Sequence, residues 1–153
     1  MHKIVIGLAQ INPTVGALER NADMVIARAV EAAQLGCSVV AFPELSLSGY
    51  PPEDLVLKQH FLEDVELQLA RIAAALPSGL TAVVGAPVRR EGRTYNAAVV
   101  LRDGAIHDVY FKMALPNSGV FDEKSVFAEG TGPCVIEARG VKIGLHVCED
   151  AWS

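Results

Sequence analysis

The sequence is short of the features that mark several large protein classes. It has no block of lysine and arginine, and its 13 basic residues face 18 acidic ones for a formal net charge of −5. A chain of that sign is poorly suited to nucleic acid or an anionic membrane as its main partner. No uninterrupted apolar run reaches the roughly 18 residues needed to span a bilayer. The opening Lys3-Ile4-Val5-Ile6-Gly7-Leu8 breaks after a few residues, unlike a secretory leader. Three cysteines, Cys37, Cys134 and Cys148, are odd in number for a disulfide framework. A reducing, cytoplasmic setting is therefore expected. There is no G-x-S-x-G elbow and no G-x-x-x-x-G-K-[ST] phosphate loop. No second Cys or His pair at finger-like spacing accompanies His146, Cys148, Glu149 and Asp150, so no metal centre is expected. Internal repeats, low-complexity tracts and linkers are also missing.

What remains is a chain of 153 residues, 51% apolar and 20% charged, suited to one globular domain. A domain of that length buries about two thirds of its unfolded surface. Residues 3–10 read as a first strand, broken at Asn12-Pro13. Asn21 is a candidate N-cap for a helix with Ala22, Val25, Ala29 and Ala32 on one face, stopped at Gly36. A short strand over 37–42 ends at Pro43-Glu44. A turn-rich passage follows, then a second helix over 60–76 with Phe61, Val65, Leu69 and Ile72 in one stripe. A strand over 81–88 precedes hairpins at Glu91-Gly92, Asp103-Gly104 and Arg139-Gly140. The long passage 112–133 lacks periodicity, as functional loops often do. The predicted order is β-α-β-α-β-β-β-β-β, an α/β arrangement. Two helices are few for this much sheet, so a partial domain, cut short after the last strand, is expected.

Three stretches can carry chemistry. The last strand, predicted over 141–148, alternates so that Lys142, Gly144, His146 and Cys148 share its less apolar face. Cys148 is either a small buried apolar residue or a nucleophile at a strand end. A thiol needs a base, and an amide leaving group needs a proton. Glu44, in a Pro-Glu turn after another strand, can do both in turn, or is a solvated surface acid. Lys112 is a surface lysine or a fixed positive charge for a developing oxyanion. Their combination points to a Cys-Glu-Lys amidase.

Phe42-Pro43-Glu44-Leu45-Ser46-Leu47-Ser48-Gly49-Tyr50-Pro51-Pro52-Glu53-Asp54-Leu55 resembles the glutamate motif of the nitrilase superfamily. Its Gly-Tyr-Pro-Pro-Glu-Asp-Leu extension resembles the glutaminase domain of bacterial glutamine-dependent NAD synthetases. Lys112-Met113-Ala114-Leu115-Pro116-Asn117 with Val120-Phe121-Asp122-Glu123 is similar to that branch's lysine motif, and Val147-Cys148-Glu149-Asp150-Ala151-Trp152 to its nucleophile motif. Leu8-Ala9-Gln10-Ile11-Asn12-Pro13-Thr14-Val15-Gly16 matches too. The resemblance implies a nitrilase-like α-β-β-α sandwich, of which residues 1–153 are part. It implies Cys148 as nucleophile, Glu44 as base and then acid, and Lys112 as oxyanion stabiliser. Glu123 is implied as a supporting acid, and Tyr50, Ser118 and Phe121 as the glutamine pocket. The expected partners are L-glutamine, a C-terminal synthetase domain and further copies of the protein. No cofactor is expected in this segment, and ATP and magnesium belong to the synthetase domain, which converts nicotinic acid adenine dinucleotide to NAD.

The sequence departs from that pattern at Ser118, where a tyrosine is common, and at Ser125-Val126, where Arg-Tyr is common. Two alternatives stay open. One is a stand-alone nitrilase-type amidase acting on another small amide. The other is a catalytically inactive fragment that serves as an assembly module.

Overall fold

The computed structural model describes residues 3–117 and 122–153. Five strands form one sheet in chain order: Ile6–Leu8 (β1), Val39–Ala41 (β2), Thr81–Arg90 (β3), Arg93–Arg102 (β4) and Ala105–Phe111 (β5). The first three run parallel, and β4 and β5 continue antiparallel. Parallel neighbours need crossovers, supplied by the helices Leu18–Gln34 (α1) and Gln59–Ala75 (α2). Val135–Ala138 (β6) and Val141–Gly144 (β7) form a separate hairpin. The expected order of elements is the observed one.

Both helices pack on one face of the sheet. Ala22, Val25 and Ala29 of α1 and Val65, Leu69 and Ile72 of α2 meet Val40, Ala82, Val84, Ala86, Val99 and Leu101. The opposite face carries Val39, Val83, Ala98, Val100 and Tyr110, which pack on Cys134, Ile136 and Ala138 of the hairpin. Covered on both sides, β3 reads as a continuous apolar run, unlike a half-solvated strand. The three predicted turns each join two strands through a pair of residues at positive φ: Glu91-Gly92, Asp103-Gly104 and Arg139-Gly140. Among the described residues no helix is long and apolar enough to cross a membrane.

Two local expectations are corrected. Asn21 does not cap α1, whose N-cap is Ala17. Its buried side chain instead accepts from the Thr14 amide (2.9 Å) and donates to the carbonyls of Thr14 (2.8 Å) and Leu47 (2.9 Å). The asparagine thus saturates loop backbone rather than its own helix. The last strand also stops early, at Gly144. Leu145 still donates to the Cys134 carbonyl, and beyond that bond the ladder is not continued. The chain leaves the ladder, and Cys148 opens the 3-10 turn Cys148–Ala151.

Candidate active site

Glu44, Lys112 and Cys148 arrive from three separate parts of the fold. Glu44 follows β2 in a tight turn, with Ser46 N–H donating to the Pro43 carbonyl and Leu45 in the left-handed region at φ +50°. That turn rests on β3 by close backbone approach, with the Ser46 hydroxyl also donating to the Gly85 carbonyl. A Cβ on Gly85 would lie 2.4 Å from both Pro43 O and Leu45 N, so only glycine admits the approach. Leu47 then donates its N–H to the Gly85 carbonyl at 3.0 Å.

Lys112 directly follows β5. Its N–H donates to the Asn96 carbonyl of β4, and its carbonyl accepts from Gly130. Held from both sides, the lysine is fully buried at 0% exposure. Its Nζ donates to Glu44 Oε1 at 2.7 Å and to Glu123 Oε1 and Oε2 at 2.9 and 3.1 Å. Asn96, also fully buried, donates through Nδ2 to Glu44 Oε1 (2.8 Å) and Glu123 Oε2 (3.2 Å). Its Oδ1 has no partner among the described residues. One ammonium thus sits between two carboxylates, and a neutral amide bridges them.

Charge follows from this packing. Burial alone would lower the Lys112 pKa, but hydrogen bonds to Glu44 and Glu123 outweigh it and hold the pKa above its ordinary value. Burial raises the Glu123 pKa, only partly offset by Lys112. The Cys148 pKa is raised, chiefly by loss of surrounding water and then by the Glu44 charge, with Lys112 pulling the other way. Cys148 is nevertheless exposed at the residue level, so its sulfur is reachable although part of its hydration is displaced. The resting group is therefore a thiol. Cys148 faces Glu44, and both line a cavity of about 320 Å³ with Ile6, Leu8, Ala98 and His146. The cysteine backbone is left-handed, at φ +45°, a conformation that costs on the order of 1 kcal/mol or more for a non-glycine residue.

Of the other residues singled out in the sequence, Glu123 joins the charged cluster at 1% exposure. Tyr50 lies near that cluster, half-exposed. Burial is the main cause of its raised phenol pKa, and Glu123, Glu44, Lys112 and Cys148 all act on it electrostatically. Ser118 and Phe121 lie outside the described residues. Ser125 sits in the 3-10 turn Glu123–Ser125 and donates to the Asp122 carbonyl, while Val126 packs beside Leu45, Val56, Leu115 and Phe127. Cys134 is buried, Cys37 is half-buried against the helix-side core, and His60 and His107 are exposed. Among the described residues no group of three or more His, Cys, Asp or Glu is placed to hold a metal ion.

Sequence reading missed Asn96, Gly85 and the structural part of Asp150. Asn96 carried a signal, since a lone amide at the head of the apolar run Ala97–Leu101 must find buried partners.

The family model described as carbon-nitrogen hydrolase matches residues 5–153. The chain belongs to the carbon-nitrogen hydrolase family. Within it, the chain is 45% identical over 155 residues to a glutamine-dependent NAD(+) synthetase of Xanthomonas campestris pv. campestris, covering 99% of this chain and 28% of that one. It is 40% identical to the synthetase of the same name from Thermotoga maritima, covering 100% and 27%. Among solved structures, the glutamine-dependent NAD+ synthetase of Acinetobacter baumannii in complex with ADP superposes with a TM-score of 0.92. The identity there is 37%, over 97% of this chain and 28% of that one. A nitrilase-superfamily amidase from Nesterenkonia superposes at 0.81 with 24% identity over 95% of this chain and 55% of that one, a likeness of fold alone. The nitrilase-type α/β fold is that of the chain. It spans about 28% of the length of the synthetase relatives it matches.

Proposed function

We propose that this carbon-nitrogen hydrolase segment cleaves the side-chain amide of L-glutamine through a cysteine thioester. Glu44 takes the Cys148 proton as sulfur attacks the amide carbon, and Lys112 Nζ stabilises the resulting oxyanion. Glu44 then gives that proton to the nitrogen, the C–N bond breaks and ammonia leaves. A water molecule, deprotonated by Glu44, attacks the thioester; the C–S bond breaks, the thiol regains its proton and glutamate departs. Glu123 and Asn96 hold the lysine and the base in place, and Tyr50 borders the substrate. The ammonia serves an ATP- and magnesium-dependent synthetase domain that amidates nicotinic acid adenine dinucleotide to NAD, with residues 1–153 as part of the glutaminase domain of a longer, oligomeric, cytoplasmic protein.

The observation that carries this reading is Lys112, buried between Glu44 and Glu123 beside an accessible thiol. A solvated lysine would have no need of two carboxylates, and a structural one would not face a reactive group. The choice of glutamine rests on likeness to the synthetases. A glutamine-mimicking diazo-ketone is expected to label Cys148, with protection by glutamine and no comparable protection by acetamide or propionamide. Labelling that persists in Cys148→Ala would remove the nucleophile assignment. Equal protection by the small amides would favour a stand-alone amidase.

A further inference from the structure

Two residues beyond the cysteine, Asp150 makes contacts that the reaction steps above leave unused. Its Oδ1 accepts from the backbone N–H of Ala114 (2.7 Å) and Met113 (3.1 Å). Its Oδ2 accepts from the Tyr110 hydroxyl (2.5 Å) and the Val147 N–H (3.1 Å). The donors are not scattered. Tyr110 lies two positions before Lys112, Met113 and Ala114 follow it directly, and Val147 immediately precedes Cys148. One carboxylate therefore brackets the lysine from both sides and abuts the nucleophile. Each oxygen has two donors, which fills its usual accepting capacity.

The same side chain holds a strained turn. Asp150 N–H donates to the Val147 carbonyl while Oδ2 takes the Val147 N–H, closing a reciprocal box around Cys148. Inside that box the cysteine is held at φ +45°, where a non-glycine residue stays only if its surroundings over-determine it. Released, the backbone would return to negative φ and turn the thiol away from Glu44.

We propose that Asp150 is a positioning residue that fixes the Cys148 turn against the Lys112 strand and so sets the alignment of nucleophile and oxyanion stabiliser. The inference rests on the thioester reading above, but it concerns geometry rather than the identity of the amide. Burial acts to raise the Asp150 pKa, yet the Tyr110 hydroxyl and the backbone N–H groups outweigh it and keep the pKa below the ordinary aspartate value. The carboxylate is thus ionised throughout the working range, as an acceptor of four hydrogen bonds must be.

The test is Asp150→Asn in the purified protein. The amide has the same shape but must turn an NH2 toward two donors. Two readouts are compared with thermal melting. One is the steady-state kinetics of glutamine hydrolysis. The other is the pH dependence of Cys148 alkylation by iodoacetamide, followed on the Cys148 peptide. In the wild type, burial first and then the Glu44 and Glu123 carboxylates raise the titration midpoint of the thiol, against the pull of Lys112. In the variant that midpoint falls toward the ordinary thiol value, and kcat drops on the order of 100-fold with KM changed less than about threefold. Tyr110→Phe, which removes one donor of four, moves both quantities the same way by a smaller factor and covers the case in which Asp150→Asn does not fold. A lower melting temperature with unchanged alkylation midpoint and unchanged kcat per folded molecule would overturn the proposal. If the wild type hydrolyses no glutamine, the substrate assignment fails. The alkylation comparison still decides the role of Asp150.

Discussion

Replacing Lys112 by methionine keeps most of the side-chain volume and removes the charge. Glu123 is then left at 1% exposure beside Glu44, whose side chain is 18% exposed, with only the Asn96 amide between them. Removing one partner of a buried ion pair costs about 3–5 kcal/mol, because the remaining charge has lost its compensation. The protein has a way to relieve that cost. Glu123 already has a raised pKa, from burial first and from the Glu44 charge, and Lys112 is what restrains it. Without the lysine it rises further. A carboxyl whose folded pKa lies above its unfolded value is best accommodated below the unfolded value, and stability is lost as pH rises through the folded one. The penalty of Lys112→Met must therefore shrink on acidification, by up to about 1.4 kcal/mol per pH unit across the window in which one proton is taken up. Urea unfolding of wild type and variant at pH 8 and pH 5.5 measures it. A second variant, Lys112→Met with Glu123→Gln, should recover most of the loss at pH 8. A penalty that is the same at both pH values and insensitive to Glu123→Gln would refute the account of a charge-balanced cluster.

Two further substitutions probe the supports of Glu44. Gly85→Ala places a methyl 2.4 Å from Pro43 O and Leu45 N, both main-chain atoms that cannot rotate aside. Displacement of the glutamate turn is expected, with a loss of about 3 kcal/mol or more in urea unfolding and a drop in turnover larger than in KM. Asn96→Leu removes two hydrogen bonds to carboxylates, each worth about 1.5–3 kcal/mol. It should lower both the unfolding midpoint and turnover, and a variant with normal turnover would show that Lys112 alone positions Glu44.

The strands, helices and turns were legible in the sequence because their signals are local. The stripe Phe61, Val65, Leu69 and Ile72 is a property of one helix, and all four residues are buried as expected. Glu91-Gly92 and Asp103-Gly104 need no partner to favour positive φ. The errors fall where an outcome depends on a distant segment. The last strand ends at Gly144, where the chain turns toward Tyr110, Met113 and Ala114 through Asp150. Asn21 leaves its capping role because the Leu47 carbonyl is within reach. At the site, the residue types suggested an amide-cleaving chemistry, and the motif resemblance fixed the grouping. The sequence could not reveal that Lys112 is wholly buried, that Asn96 joins two acids, or that Asp150 ties the cysteine turn to the lysine strand. Three of those contacts, from Asn96 to Glu123, from Tyr110 to Asp150 and from Lys112 to Glu44, span 27, 40 and 68 positions and exist only after β4, β5 and the closing turn have met.

The two oxygens of Glu44 are not equivalent. Lys112 and Asn96 both bind Oε1, so neither of these donors occupies Oε2. Rotating the carboxyl group would have to break both bonds at once, so this contact favours one orientation of the group. On the proposed chemistry, and with that orientation kept, every proton of a turnover passes through a single atom. The thiol, the leaving nitrogen and the hydrolytic water must present themselves in succession to that one position. The order of events is thereby built into the shape of the site: the next group can approach only after the previous one has vacated Oε2. An amide entering with its nitrogen on the lysine side would be held and polarised, yet it would have no proton to leave with.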